Sequence, residues 1–450
     1  MPGKSSRREF LKRSATAVGA LSFPARSYAR IAGANNIVRT GVIGYSDRFR
    51  EALFPAFLKH AGTQQFEIAA LSDIWKRRRD EGVALITEST GHHVALCRNN
   101  DELYDRKDMD AVIIATADFQ HAQHGIEAVH NNLDAYVEKP MAHTMEDARE
   151  FRKAVRQTGR KVQIGTQRRS ARNYQRAKQF IQSGQFGNIV GVEMTWNVNQ
   201  PGRWRRPQLV NQLKEEDTDW KRFLINRPAV PFDARKYLEF RLFWPYSSGI
   251  PDQWMVHQID TVHWFADLPR PRSVVANGGI YMWKDGRQNW DTLTAVFDYG
   301  PLDDPTKGFE VIYSSRQTNS AGDVKELYRS NAGTLDLDKN VISGEGGLDE
   351  GAAKAMGMKA NRLQTRDLIE GASAVETDGR AGVDEATSAN MLNWMQCVRN
   401  GKTPNADVEA GYSHSIALCM TIAAIQTGER VTFDDAAQEV MAGGKVWTGA

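Results

Sequence analysis

Cysteine is nearly absent from this 450-residue chain, and the three present, Cys97, Cys397 and Cys419, are an odd number at no metal-like spacing. No disulfide framework and no thiolate metal site is implied. Net charge is nearly absent too: the formal balance is +3, too small to draw the chain to nucleic acid. The basic runs Lys76-Arg77-Arg78-Arg79 and Arg203-Trp204-Arg205-Arg206 are short and flanked by acids or aromatics, and the first reads as a solvated face. The chain has no internal repeat. Its mild apolar run near the start, residues 15–23, is too short for a stable membrane span. With 41% hydrophobic and 25% charged residues, neither a disordered nor a fibrous class is favoured. A chain of this length exceeds one ordinary core, so two domains with additional loops and tails are expected.

What is present begins with Ser6-Arg7-Arg8-Glu9-Phe10-Leu11-Lys12, followed by that apolar run and small-residue sites near Ala25 and Ala29. This resembles a twin-arginine export signal, so residues 1–34 are set apart from the fold and a periplasmic location is expected. From Ile37 onward, short β-branched runs at residues 38–44, 66–73, 111–116, 135–138 and 162–165 alternate with amphipathic stretches at 49–60, 76–89, 121–131 and 144–158. That is the grammar of a parallel sheet with crossover helices, which binds ligand at the strands' carboxyl ends. After residue 169 the pattern shifts. A helix at 174–183 is followed by period-two strands at 189–197, 273–282, 291–297, 308–315, 326–330 and 333–338, indicating an open, mostly antiparallel sheet. Residues 344–383 read as a long, loosely ordered excursion, and helices at 385–399 and 412–427 close the chain. The expected fold is thus α/β: a Rossmann-type dinucleotide domain at 35–169, then an α+β substrate and oligomerisation domain at 170–450.

Gly41-Val42-Ile43-Gly44-Tyr45-Ser46-Asp47-Arg48-Phe49 lies where the first strand meets a helix, the place where G-x-G-x-x-G motifs bring backbone N–H groups to a pyrophosphate. Only Gly44 remains of the three glycines. Ser46 stands at the second position, where a side chain is expected to crowd a phosphate, and Phe49 at the third, where close helix–strand packing is needed. Asp73 ends the second strand, where a carboxylate can accept hydrogen bonds from ribose hydroxyls; it could equally cap the next helix. Lys76 and Arg77 stand near enough to receive a 2′-phosphate. NAD or NADP is therefore admitted, with NAD slightly preferred.

Thr116 and His121 follow the third strand, Glu138-Lys139-Pro140 ends the fourth, and Gly165-Thr166-Gln167-Arg168-Arg169 follows the fifth. In that order, together with the closing section around Asn393-Trp394 and Gly428-Glu429-Arg430-Val431, these residues resemble the glucose-fructose oxidoreductase and inositol dehydrogenase family, Gfo/Idh/MocA. The resemblance implies cofactor contacts at Gly44, Ser46, Asp73, Thr116, His121, Glu138 and Gln167, a catalytic Lys139, and a Lys139–Pro140 peptide that is often cis. A lysine at that strand end can hydrogen-bond a reacting hydroxyl and stabilise charge developing on its oxygen. Further on, His257 and Asp260 are three apart on a predicted helix, hence on one face, so the carboxylate can orient the imidazole. In the family this helix lies over the nicotinamide, and its histidine or a neighbouring acid is the base. The family usually shows an aspartate four residues before the histidine; here that position is Gln253, and Asp252 is one place off. Two ligands, His257 and Asp260, are too few for a metal site, and none is expected.

Arg168, Trp204 and Tyr237 are expected at the substrate, since aromatic faces beside arginines suit sugar rings and carboxylates. The activity implied is reversible hydride transfer between a nicotinamide cofactor and a hydroxyl of a sugar or sugar-like polyol, in a homo-oligomer formed through the C-terminal sheet. Two rivals stay open: an NAD-dependent glycosidase or keto-sugar lyase working by transient oxidation, and a cofactor-free carbohydrate-binding protein.

Overall fold

The computed structural model describes residues 36–369 and 385–449. The export motif and part of the expected excursion lie outside them. Two sheets organise the chain. The first is parallel and six-stranded, in the order β3-β2-β1-β4-β5-β6, from β1 (Val38–Ile43), β2 (Phe66–Ser72), β3 (Ala95–Cys97), β4 (Ala111–Ile114), β5 (Asp134–Val137) and β6 (Val162–Ile164). Five of the six match the expected runs. The edge strand β3 is only three residues long, too short to leave a periodicity of its own. The central strand β4, Ala-Val-Ile-Ile, is buried at every residue because helices cover both faces of a parallel sheet.

Local signals place the helices. Met145–Thr158 starts after Thr144, whose hydroxyl accepts the Asp147 N–H, and carries Glu146 and Asp147 in its first turn. It ends at Gly159 in the left-handed conformation.

The second sheet has eleven strands, in the order β14-β13-β12-β11-β7-β10-β9-β8-β15-β16-β17. They are β7 (Ile189–Asn197), β8 (Ser273–Gly279), β9 (Thr292–Tyr299), β10 (Phe309–Arg316), β11 (Val324–Ser330), β12 (Thr334–Asp336), β13 (Val341–Ser343), β14 (Arg366–Asp367), β15 (Val431–Asp434), β16 (Glu439–Ala442) and β17 (Lys445–Val446). β7 and β10 run parallel, and the other pairings are antiparallel. Burial alternates along β9, the mark of a sheet with one covered face. The region expected to be loose contains the short helix Glu350–Ala355 and strand β14, which extends this sheet. The last three strands are short and interspersed with charge, so their alternation is hidden in the sequence.

The closing helix, Val408–Thr427, is the one among the described residues long and apolar enough to cross a membrane, and most of it is buried within the fold. Just before it the chain returns to the first sheet: Ile164 N–H donates to Ala406 O (2.7 Å), and Gln163 donates to Asn390 (2.6 Å to Oδ1), so the open edge of β6 is covered.

Candidate functional site

The loops at the carboxyl ends of β1, β2, β4, β5 and β6 open into one cleft of about 1490 Å³, whose other wall comes from the second sheet and from the chain between β7 and β8. That is larger than the roughly 300–1,000 Å³ usual for a single small ligand.

Gly44 has φ +88°, and a Cβ there would come within 2.7 Å of Thr116 Cγ2 and 2.9 Å of Ala115 O, so this turn requires glycine. Ser46 lines the cleft. Its hydroxyl accepts the Phe49 N–H (3.2 Å) at the start of the following helix. Phe49 is fully buried, its ring near those of Tyr45 and Phe54. Asp73 accepts from Tyr45 N–H and Trp75 N–H, both at 2.8 Å, which ties the glycine turn to the second strand. It does not cap the next helix, whose N-cap is Trp75 without a side-chain cap bond, and Asp73 lines the cleft with acceptor capacity left on both oxygens. Burial raises its pKa, and the two N–H groups oppose that shift. Lys76 and Arg77 pair with Asp80 and Glu81, and Arg77 also lies over the Trp75 ring (5.8 Å). Arg78, likewise over the Trp75 ring (5.7 Å), lines this end of the cleft.

His121 is a brace. Its Nδ1 meets Pro140 O (2.8 Å) and its Nε2 meets Thr116 O (3.3 Å), so it joins the ends of β4 and β5. Thr116 Oγ1 and Gln167 Oε1 are buried without hydrogen-bond partners among the described residues, on side chains that line the cleft. Glu138 accepts from Arg48 Nε (3.0 Å) and from Lys139 N–H (3.2 Å). The Lys139–Pro140 peptide is cis.

Lys139 Nζ donates to the carbonyls of Gln253 (3.0 Å) and Asp252 (3.3 Å), two of its three donor directions. Burial lowers its pKa to about 8; Asp118 and Glu138 oppose this, while Arg241 and Arg48 add to it. Those carbonyls belong to the wide turn Pro251–Met255, where Val256 N–H reaches back to Pro251 O, and His257 follows at the start of the helix Val256–Ala266. The His257 imidazole lines the cleft near the Trp196 ring (5.9 Å) and has no hydrogen-bond partner among the described residues. Burial, then the cations Lys139, Arg168 and Arg48 and the neighbouring His414, hold its pKa well below the ordinary 6.5.

Two expectations are corrected. Asp260 does not orient His257: its oxygens take Arg169 at 2.8 and 3.0 Å, with His414 Nδ1 at 3.5 Å. A spacing of three leaves two side chains some 60° apart around a helix, and here the later one turns into the protein interior. Arg169, one residue beyond the substrate-side Arg168, is thereby structural. Tyr237 lies at the Asp73 end, edge-on to Trp75 (6.3 Å), not beside Lys139 and His257. Asp252, one place off the family position, is sequestered by His143 (2.9 Å) and Ser248 N–H (2.7 Å).

Trp204 does line the cleft, 5.4 Å from Trp254, at φ +65°, a conformation that a bulky residue rarely adopts. Arg168 is held by Glu326 and lies over the rings of Tyr174 (5.2 Å) and Trp196 (5.7 Å). Unassigned by the sequence is a chain of three polar side chains: Arg241 Nε donates to Gln253 Oε1 (2.8 Å), and Gln253 Nε2 donates to Asp118 Oδ2 (2.5 Å), which also accepts from Ser247 Oγ (2.6 Å). Gln253 thus bridges to an acid supplied by the loop after β4. Only its departure from the family pattern hinted at this.

Residues 38–166 match the family model described as "Oxidoreductase family, NAD-binding Rossmann fold". Inositol 2-dehydrogenase of Salmonella typhimurium is 26% identical over 151 residues, 33% of this chain and 43% of that enzyme, so the match spans less than half of the relative. scyllo-Inositol 2-dehydrogenase (NAD(+)) of Bacillus subtilis is 24% identical over 325 residues, 71% of this chain and 77% of that enzyme. Among solved structures, the WlbA dehydrogenase of Bordetella pertussis, in complex with NADH and UDP-GlcNAcA, shares the fold at TM-score 0.61 and 17% identity, covering 88% of this chain and 99% of that one. A six-stranded parallel sheet with Gly44 and Asp73 at its carboxyl edge and Glu138-Lys139-Pro140 ending β5 accounts for the match of residues 38–166 to that model.

Proposed function

We propose that the protein is an NAD(P)-dependent dehydrogenase acting on a hydroxyl of a sugar or sugar-like polyol. The observation that carries this is the pairing of Lys139 and His257 in one cleft: an ammonium with one donor direction left over, and an imidazole with no protein partner. The cleft fits a dinucleotide. The Gly44 turn is too tight for a Cβ, Asp73 presents lone pairs, and the buried Thr116 Oγ1 and Gln167 Oε1 want partners. Gly44, Ser46 and Asp73 would hold the adenosine and diphosphate portion, and Thr116, Glu138 and Gln167 the nicotinamide portion. When bound, the nicotinamide accepts or returns hydride at the alcohol carbon.

The chain's own share is position and proton handling. His257, neutral because its pKa is depressed, takes the hydroxyl proton, and Lys139 donates to the same oxygen as negative charge develops there. Trp204, Trp254 and Arg168 form the wall for a sugar ring. The curated relatives named above act on inositols, which is the polyol class proposed here.

We assign the dinucleotide domain to residues 35–169 and the substrate domain to 170–450, with residues 1–34 as a twin-arginine export signal leading to the periplasm. A homo-oligomer through the second sheet is favoured by the partly exposed apolar row Val275, Val296 and Ile312 across β8, β9 and β10. The test is to denature the purified protein and identify any released nucleotide by absorbance and mass, then to incubate holoenzyme with polyols. A keto product with reduced nucleotide is expected. Release of an aglycone would replace this reading with transient oxidation, and a protein that never takes up nucleotide would leave the carbohydrate-binding one.

A further inference from the structure

The glycine turn leaves few donors for a diphosphate. Gly44 N–H donates to Ser72 O (2.9 Å), Tyr45 N–H to Asp73, Phe49 N–H to Ser46 Oγ and Arg50 N–H to Ser46 O (2.9 Å). The amides at 44, 45, 49 and 50 are therefore already occupied. The turn also carries Asp47, a negative charge where an anion should arrive.

The structure surrounds Asp47 with cations: Arg50 at 3.4 Å, Arg78 at 3.1 Å and Arg206 at 3.1 Å. Arg206 comes from the chain after β7, and its own backbone N–H is pinned to Glu239 (2.7 Å). From the same excursion comes Arg241. Its Nε is taken by Gln253 and its guanidinium lies over the Phe240 ring (4.5 Å), while its terminal nitrogens have no hydrogen-bond partner among the described residues. Both arginines line the cleft, and Arg241 lies within the fields of Arg206, Asp47 and Glu138. A guanidinium with its fork unfilled is a preorganised site for a phosphate oxygen pair.

We propose that Arg206 and Arg241 bind the diphosphate of the dinucleotide from across the cleft, taking the part that the two missing glycines leave undone. Asp47 holds Arg206 and Arg78 in place until the diphosphate competes for them. This rests on the NAD(P)-binding reading above. It also explains how Ser46 and Phe49 are tolerated: recognition has moved from the glycine turn to side chains of the facing segment.

The experiment measures binding, not turnover, by calorimetry on nucleotide-free protein with NAD, ADP-ribose and adenosine as probes. Arg241→Gln and Arg206→Gln should each weaken NAD and ADP-ribose by about 10- to 100-fold, the range for charge-assisted phosphate contacts, and leave adenosine unchanged. Arg241→Lys should recover part of the loss, since it keeps the charge without the fork. Asp47→Asn should bind NAD at least as tightly as the parent. Gln variants that melt like the parent yet bind both diphosphates as the parent does would overturn the inference, as would an equal loss of adenosine. If the parent itself takes up neither diphosphate, the dinucleotide reading falls first and this one with it.

Discussion

At the scale of single residues, the proposed chemistry depends on two groups whose ionisation the fold has moved. Burial brings Lys139 down to about 8, and burial with the surrounding cations keeps His257 neutral across the working range. If the ammonium form of Lys139 stabilises the alkoxide, kcat/KM for alcohol oxidation should fall as pH rises through about 8, with no acid limb from His257 near 6.5. Lys139→Arg, permanently charged, should lose the alkaline limb; a profile unchanged by that substitution would remove Lys139 from the titration. The same depressed pKa has a stability consequence of definite sign. Between about 8 and the ordinary 10.5 the unfolded chain holds a proton that the folded one lacks, so stability contributed by this group rises with pH across that window. Lys139→Met should flatten that rise in denaturant titrations. If both groups serve one oxygen and its proton as proposed, Lys139→Ala and His257→Ala should each lower turnover by roughly 10²–10⁴-fold, and the double variant should be only slightly worse. Turnover within a few-fold of the parent in both single variants would mean the cleft works by other means.

At the scale of elements, what was legible in the sequence was what is contiguous. Glu138-Lys139-Pro140 and the Gly44 turn are strand ends read directly off the chain, and β4 declares itself by four apolar residues in a row. The Asp118–Gln253–Arg241 chain was not legible, because its members come from three separate segments and each looks like an ordinary surface polar residue until the fold joins them. Asp260 misled for the opposite reason. Its spacing from His257 is real, but helical spacing alone does not say which face meets the cleft. In the fold it joins the helix Val256–Ala266 to Arg169 and to His414 of the closing helix, and Arg169 and His414 outweigh burial to hold its carboxyl at about 2. A carboxyl so depressed contributes stability that is present above its ordinary 3.8 and is lost as pH falls through about 2. Asp260→Asn should therefore cost about 3–5 kcal/mol in urea unfolding, since it leaves a buried Arg169 unpaired. An unchanged unfolding midpoint with lost turnover would restore the orienting role. Gly44→Ala belongs here too. The left-handed φ and the contact with backbone Ala115 O should cost about 1–3 kcal/mol and weaken NAD binding along with the fold, as melting and calorimetry would show.

At the scale of the whole molecule, the proposed location and the proposed cofactor constrain one another. Free nicotinamide nucleotide is scarce outside the cytosol, so an exported dehydrogenase must carry its cofactor with it and regenerate it within each cycle, either by reducing a second substrate or by oxidising and then reducing the same one. Retention would fall to the cleft. The chain between β7 and β8 supplies Phe223, Tyr237 and Arg241 to its wall, and Trp220, Phe223, Leu242 and Tyr246 pack with Phe119 of the Rossmann loops into an apolar cluster of their own. The three cysteines, Cys97, Cys397 and Cys419, are all buried thiols, so this fold needs no oxidising compartment to complete it and would be able to form around a nucleotide before the proposed transport. A route that carries folded proteins suits such a molecule, and the Arg7-Arg8 pair is the feature that such a route reads. Replacing Arg7 and Arg8 together by lysine should hold the protein in the cytoplasm, folded and loaded with nucleotide, while the parent is recovered from the periplasm with nucleotide still bound. Cell fractionation followed by nucleotide analysis of each pool reads both halves at once. Export of the lysine variant at the parent's level would remove the twin-arginine assignment, and a parent recovered outside the cytoplasm without nucleotide would remove the need for retention and return the cleft to a freely exchanging cofactor.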